Sequence, residues 1–560
     1  MKTSITLILL FCTLFGKIPD ATGNHGAVVS SNAYASQVGI DILKKGGNAI
    51  DAAIATGFAL AVVHPGAGNI GGGGFMVIRL SDGTVTTIDF RETAPAKAHR
   101  DMFLDENGDV IPGKSWKTSW AAGVPGSVAG FGLAHEQYGT MAWKKLVKPS
   151  AKLASKGYKL DYMSTLYLNS PYYSEYLGKD AVTKTIFTKD GLYEVGELFK
   201  QKNLAKTLKR IAGKGASEFY TGQTADMIVE CMNRTDGLIT KEDLKHYQAV
   251  ERTPITFEYR GHTIHAMPPA SSGGVALAGI LNQLENIELD TMSYHSADHL
   301  HLVAEAERRV YADRAHYMGD MDFVDIPFSE LISQSYSDGR WASIDPVSAS
   351  TSEEISHGDF QDLYMESEET THYSVVDKWG NAVSVTTTVN GWFGNGITVD
   401  GAGFLLNNEM DDFSAKPGVP NAYGLIGAEA NAIEPGKRML SSMTPAIVEN
   451  EDGELFMVVG SPGGSTIITT VAQIIMNVID FDMNIEDAVE SPRFHHQWLP
   501  DAIQYEDEKF SSETLFALKQ RNHQLKPRSE IGEANCIMRM RDGMIHASSD
   551  SRRGASAIAY

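Results

Sequence analysis

Glu369-Thr370-Thr371-His372-Tyr373-Ser374-Val375-Val376-Asp377 is the stretch from which the rest of the chain can be read. It follows a polar run, Pro346 to Glu369, dominated by Ser, Thr, Asp and Glu without apolar periodicity, the composition of an exposed loop. The chain then turns β-branched and aromatic, and a second run of that kind, Ala382 to Val389, follows Trp379-Gly380. Two strands joined by a tight loop are predicted, starting at Thr370. With Lys378 to Asn381 as the loop, Asp377 pairs with Ala382 and Thr370 lies opposite Val389, with Thr388 and Asn390 as diagonal neighbours. A threonine hydroxyl is a weak nucleophile without a base beside it. A chain break just before Thr370 would supply one, its own α-amine, with a pKa of roughly 7.7 to 8.0. The competing reading is an ordinary strand threonine.

Working outward, Ala35 to Leu43 is helical and stops at Gly46-Gly47, and a second helix starts near Ala49. Between Ala52 and Ile78 there is no charged side chain, but Pro65 and the glycines Gly71 to Gly74 interrupt the run. The apolar part to Val63 is too short to span a bilayer and predicts a buried helix. Phe75 to Leu80 and Thr84 to Phe90 read as strands around Ser81-Asp82-Gly83. Helices are expected at Met141–Ala154, Asn203–Ile211, Thr224–Met232 and Ala297–Tyr317, with a capping box at Thr240 and Asp243. Further strands are expected at Gly403–Leu406, Pro445–Glu449 and Leu455–Val459, and a helix at Ile467–Ile479. Strand hairpins flanked by long helices indicate a layered α/β (α+β) protein with its sheets in the middle.

The chain has 48 basic and 70 acidic residues, a net charge of −22, which argues against a partner such as duplex nucleic acid or an anionic membrane surface. Lys2, the apolar run Ile5 to Phe15 and the small or polar residues Gly16 to Gly23 have the pattern of a secretory signal peptide. Cys12 would leave with it, and Cys231 and Cys536 would remain, paired or free. The glycines from Gly71 to Gly74 lack the Gly-Lys-Ser/Thr ending of a phosphate loop and read as a close backbone approach. His295 and His299 share a helix face, but with no third ligand evident they read as a solvated helix end. Gly460-Ser461-Pro462-Gly463-Gly464-Ser465 is not a Gly-x-Ser-x-Gly elbow.

The segment Glu369 to Asp377, with Gly380-Asn-Ala-Val383 and Asn390, resembles the start of the small subunit in the γ-glutamyltranspeptidase family. So do Leu405-Leu-Asn-Asn-Glu-Met-Asp-Asp-Phe-Ser414, Leu440-Ser-Ser-Met-Thr-Pro445, Gly460 to Ser465 and Pro492-Arg-Phe-His-His-Gln-Trp498. In the first half the matching stretches are His64 to Phe75, Asp89-Phe-Arg-Glu92, Pro125 to Gly130, Met267 to Gly274 and Tyr311-Ala-Asp-Arg314. The resemblance runs in order over nearly the whole chain after the signal. It implies a four-layer αββα sandwich of the N-terminal-nucleophile hydrolase type, one domain built from two self-cleaved subunits. Residues 1–23 would be the signal peptide, 24–369 the large subunit and 370–560 the small catalytic subunit, cut between Glu369 and Thr370. Glu369 stands where many bacterial relatives carry Gln.

The activity implied is that of a γ-glutamyltransferase and glutathione hydrolase. Thr370 Oγ would attack the γ-carbonyl of glutathione or another γ-glutamyl compound, forming a γ-glutamyl ester, and water or an amino acid or peptide acceptor would then take the glutamyl group. The resemblance assigns Thr388 to orienting Thr370, and Gly463 and Gly464 to an oxyanion hole. Arg91, Ser441 and Ser442 would meet the substrate α-carboxylate, and Asn390, Glu409 and Asp412 its ammonium. Tyr423 matches a lid over the pocket. Near the C-terminus the family's Asp-Pro-Arg is Asp550-Ser551-Arg552 here. No cofactor and no metal is implied, and the protein would be exported, to the periplasm or the medium. A β-lactam or glutaryl acylase of the same superfamily is the neighbouring reading, and a non-catalytic exported γ-glutamyl-peptide binder the one from a different class.

Overall fold

The computed structural model describes residues 21–355, 370–416 and 428–560. Most of the predicted signal, Glu369 with most of the acidic loop before it, and Tyr423 lie outside the described residues. Two seven-stranded sheets occupy the middle of the molecule. The first runs in the order Ser556–Ala559, Gly26–Ser30, Thr371–Asp377, Ala382–Thr388, Gly73–Arg79, Val85–Asp89 and Val250–Arg252. The second runs Ala21–Gly23, Ile545–Ser549, Asn535–Arg539, Leu455–Val459, Ala446–Glu449, His262–Ala266 and Ile255–Tyr259. Neighbours within each are antiparallel.

Three apolar layers follow from the two-residue period of the strands. Tyr373, Val375, Val383 and Val385 pack with helices such as Ala49–Val63, every residue of which is buried. Val376 and Ala382 point the other way, into a layer shared with Ile447, Val458 and Ile537 of the second sheet. That sheet's far face packs on the helices Gly273–Leu284, Ala297–Tyr317 and Thr466–Ile479. The order is therefore helix, sheet, sheet, helix, as the resemblance implies. Gly72 shows why the glycine run is needed: a Cβ there would sit 2.1 Å from the carbonyl oxygen of Thr388.

The central hairpin departs from the predicted register by one residue. Val376 pairs with Ala382 and Thr371 with Thr387. The loop is three residues, Lys378 to Gly380, with Gly380 in the left-handed region at φ +90°. Asp377 sets it: its backbone N–H donates to the Asn381 carbonyl (3.0 Å), and its Oδ1 accepts from the N–H groups of Trp379 (2.9 Å) and Asn381 (3.0 Å). Continued by one step, this register places Thr388, rather than Val389, opposite Thr370. The predicted strand at Gly403–Leu406 is reduced to a single bridge between Leu405 and Thr398. Cys231 and Cys536 are buried in the cores on opposite sides of the sheet pair and do not pair with each other.

Candidate active site

Thr370 immediately precedes the Thr371–Asp377 strand and shares its face with His372, Ser374 and Val376, the face turned toward the second sheet. Here the layer between the sheets is polar. His372 Nδ1 meets Thr386 Oγ1 (2.9 Å) and its Nε2 meets Ser374 Oγ (3.1 Å). Burial lowers the His372 pKa to about 3, so the ring is neutral and spans two hydroxyls without serving as a base near neutral pH. Thr388 Oγ1 accepts from the Asn390 N–H at 2.8 Å, and Asn390, at φ +70°, donates its Nδ2 to the Asn408 carbonyl at 3.0 Å. That bond turns the Asn390 amide oxygen away from Asn408 as an available acceptor.

Thr370, Thr388 and Asn390 line one cleft with Arg91, Asp412, Ser441, Ser442 and Gly464; its empty space, solvent included, is about 550 Å³. Arg91 is 1% exposed. Its Nε donates to the Met439 carbonyl (3.3 Å) and its terminal nitrogens meet the Leu440 carbonyl (3.2 Å), the Asp412 carboxylate and Glu409 Oε2 (2.5 Å). A third carboxylate, Glu92, lies 3.8 Å from Arg91 and has no hydrogen bond to another described residue. Burial would lower the Arg91 pKa, but Glu409, Asp412 and Glu92 overcome it and hold the guanidinium charged. Burial wins for the acids: Glu92 is pushed up to about 8, Glu409 is pushed well above its ordinary value and Asp412 is raised from its own, despite Arg91. One cation is thus shared by three carboxyl groups that do not all ionise together.

Ser441 and Ser442 are held from the first half of the chain. The Ser441 N–H donates to the Ala270 carbonyl (3.0 Å), and the Ser441 carbonyl accepts from both the N–H and the Oγ of Ser272 (2.8 Å each). Gly463 and Gly464 adopt φ of +136° and +55°, conformations that favour glycine, immediately before the Thr466–Ile479 helix. Their carbonyls are engaged by that helix's first turn, by Thr466 N–H (3.0 Å) and Ile467 N–H (3.3 Å). Among the described residues their own N–H groups meet no acceptor, as an anion-binding turn at a helix N-terminus requires.

Eight of the predicted residues therefore line one cleft. Glu409 stands behind Arg91, Gly463 adjoins Gly464, and Tyr423 lies outside the described residues. Glu92 and Arg314 carry no role in the sequence reading, although Asp89-Phe-Arg-Glu92 and Tyr311-Ala-Asp-Arg314 contain them. The solvated helix end expected at His295 and His299 is corrected: His299 is 2% exposed, and both rings pack on Phe494 and aromatic neighbours from the C-terminal half. Among the described residues one set, His301, Glu305 and His523, has the spacing of metal ligands. Its groups are already engaged, the two rings with each other (2.7 Å) and Glu305 with Arg308 and Arg309, which makes it an ion-pair and hydrogen-bond network.

A family profile described as gamma-glutamyltranspeptidase matches residues 35–560. The glutathione hydrolase proenzyme of Escherichia coli is 51% identical over 529 residues, which cover 94% of this chain and 90% of that protein. Cephalosporin acylase from Bacillus halodurans has a similar structure, with a TM-score of 0.81 at 25% identity over 99% of each chain. Helicobacter pylori gamma-glutamyltranspeptidase matches with a TM-score of 0.57 at 45% identity, covering 60% of this chain and 94% of that one.

Proposed function

Because the chain belongs to the γ-glutamyltranspeptidase family and has the four-layer sandwich of the N-terminal-nucleophile hydrolases, we propose that it is a γ-glutamyltransferase and glutathione hydrolase acting through Thr370. A precursor exported by the N-terminal signal, to the periplasm or beyond it, cuts itself between Glu369 and Thr370 and becomes a heterodimer of residues 24–369 and 370–560. No described helix is long and apolar enough to cross a membrane.

The reaction is a two-step acyl transfer. The new α-amine of Thr370 takes the hydroxyl proton as Oγ attacks the γ-carbonyl, and Thr388 holds the nucleophile. The oxyanion is met by the Gly463 and Gly464 N–H groups, each such donor contributing roughly 3 to 4 kcal/mol of barrier lowering. The proton passes to the departing amine, cysteinylglycine when the donor is glutathione. Water or an amino group then attacks the ester and restores Thr370. At the other end the glutamyl zwitterion replaces an ion pair with its own: its carboxylate takes up Arg91, Ser441 and Ser442, and its ammonium takes up Asp412, Asn390 and Glu409.

The observation that carries this reading is the placing of Thr370 in one cleft with both Arg91 and Asp412. A glutaryl side chain has no ammonium for Asp412, which separates this reading from the acylase despite the shared fold. Denaturing gel analysis with N-terminal sequencing of the smaller band is expected to give two subunits and a new terminus at Thr370. The purified heterodimer is expected to turn over a γ-glutamyl anilide well ahead of a glutaryl anilide. An uncut, inactive chain, or preference for the glutaryl substrate, would sink the proposal.

A further inference from the structure

The Ala297–Tyr317 helix sends two side chains, one turn apart, across to loops that follow Thr370 in sequence. The Tyr311 hydroxyl donates to the carbonyl of Ser465, next to Gly464. Arg314 donates from Nε to Ser272 Oγ (2.8 Å) and from a terminal nitrogen to Ser442 Oγ (3.0 Å). It is 4% exposed and lines the same cleft as Thr370.

Proton counting gives this contact a consequence. A hydroxyl has one proton to donate, and a guanidinium can only donate. Ser442 Oγ, having accepted from Arg314, keeps its proton for another acceptor, and the adjacent cation polarises it into a stronger donor. Ser441 Oγ is set the same way by the Met443 N–H (3.1 Å). The two hydroxyls are thus prepared as a pair of donors, which suits an anion. Ser272 completes the arrangement, accepting from Arg314 while its own hydroxyl donates to the Ser441 carbonyl (2.8 Å). One guanidinium therefore fixes the Ser442 hydroxyl directly and the Ser441 backbone through Ser272.

We infer that Arg314 is a positioning residue for donor binding: it presets Ser442 as a hydrogen-bond donor to the substrate α-carboxylate, so that the cleft recognises this group with a cation from each of two separate segments, Arg91 directly and Arg314 through serine. The inference rests on the reading that Ser441 and Ser442 meet that carboxylate. Tyr311, on the same helix, donates to the oxyanion loop where Arg314 donates to the serine pair, which supplies an internal contrast.

The test is steady-state kinetics of the processed heterodimer with a γ-glutamyl anilide. Arg314→Gln is expected to raise KM by about tenfold with kcat within about threefold, Arg314→Lys to recover part of that loss, and Tyr311→Phe to lower kcat more than it raises KM. In a Ser442→Ala background, Arg314→Gln should add less than about a twofold further change, since two residues acting through one contact are not additive. Additive losses, or a loss confined to kcat, would overturn the inference. If Arg314→Gln does not accumulate as folded protein, the same cycle is run with Arg314→Lys and read identically. A wild-type enzyme that turns over no γ-glutamyl anilide would instead count against the proposed function, and a Ser442→Ala variant with unchanged KM against the role of the serine pair.

Discussion

Two buried charge clusters in this molecule use the same residue types to opposite ends. At the C-terminal end, Arg493 and Arg552 meet Glu506 and Asp550, two buried cations for two buried acids, with the exposed Lys509 also reaching Glu506 (3.2 Å). Every carboxylate oxygen there is hydrogen-bonded: Asp550 by Arg493 (2.7 Å), Arg552 (3.1 Å) and the Ala534 N–H (2.8 Å), Glu506 by Arg552 (2.5 and 2.8 Å) and the N–H groups of Arg493 (3.0 Å) and Ile531 (3.1 Å). Burial opposes ionisation, yet the arginines hold both acids below the ordinary carboxylate range. In the cleft, Arg91 is paired with Glu92, Glu409 and Asp412, Arg314 adds a weaker attraction for Asp412, and burial still pushes all three acids up. The balanced cluster is complete as folded. The unbalanced one lies beside an open cleft, where, on the proposed function, a glutamyl zwitterion would exchange its own two charges for those of the Arg91–Asp412 pair.

The largest expected effects break this contrast in opposite directions. Arg91→Ala should reduce kcat/KM for a γ-glutamyl anilide by about a thousandfold, the roughly 4 kcal/mol typical of losing a buried charge-assisted partner, while its unfolding midpoint in denaturant changes less than that of the second variant. Arg493→Ala should leave kcat/KM of the folded enzyme within about threefold but destabilise it by roughly 3 to 5 kcal/mol, because Asp550 then keeps a buried charge with one guanidinium fewer. If Arg91→Ala proves the more damaging to folding, the cleft cluster is structural and the distinction fails.

Those two clusters also mark how far the sequence could be read. The strands around Thr370 and the Ala297–Tyr317 helix were legible because two- and 3.6-residue periods are local properties. Arg91 and Asp412 were legible only as motif members, since nothing local brings residues so far apart in the chain to one cation. The hairpin register was missed by one residue because a single side chain, Asp377, selects a three-residue loop by capping it. His295 and His299 were misread as solvated because Phe481, Phe494 and Phe510, from the other end of the chain, bury them. Glu92 and Arg314 lie within family motifs, but nothing local gives them a role, for their neighbours are tertiary.

Glu92 offers a finer probe of the unbalanced cluster. Its pKa rises from an ordinary value near 4.5 to about 8 on folding, through burial. Between those values the folded protein retains a proton that the unfolded chain has released, so this group's contribution to stability falls as pH rises, by at most about 1.4 kcal/mol per unit. Gln carries no such proton. The stability of Glu92→Gln relative to wild type is therefore expected to improve by roughly 2 kcal/mol from pH 5 to pH 8, with Glu409 and Asp412 beside the same guanidinium absorbing part of the effect. Unfolding curves at a series of pH values measure the difference. A flat difference would mean that Glu92 is ionised in the folded state and that Arg91 is already balanced.

The smallest effect tests the balanced cluster. Where the family pattern has proline between Asp550 and Arg552, Ser551 donates its N–H (2.8 Å) and Oγ (2.6 Å) to the Glu490 carboxylate. A proline would fix this turn by restricting φ; here an exposed pair of hydrogen bonds does so, and Arg552 keeps its contacts to Glu506 and Asp550. Ser551→Pro loses both bonds to Glu490 but lowers the conformational entropy of the unfolded chain, two terms of about 1 kcal/mol and opposite sign. The expected outcome is a net destabilisation below about 1 kcal/mol, with subunit cleavage and kcat/KM unchanged. Loss of cleavage in Ser551→Pro would instead mean that the Glu490 contact itself takes part in subunit cleavage. The C-terminal cluster would then serve the chemistry as the Arg91 cluster does, and charge balance would no longer distinguish the two.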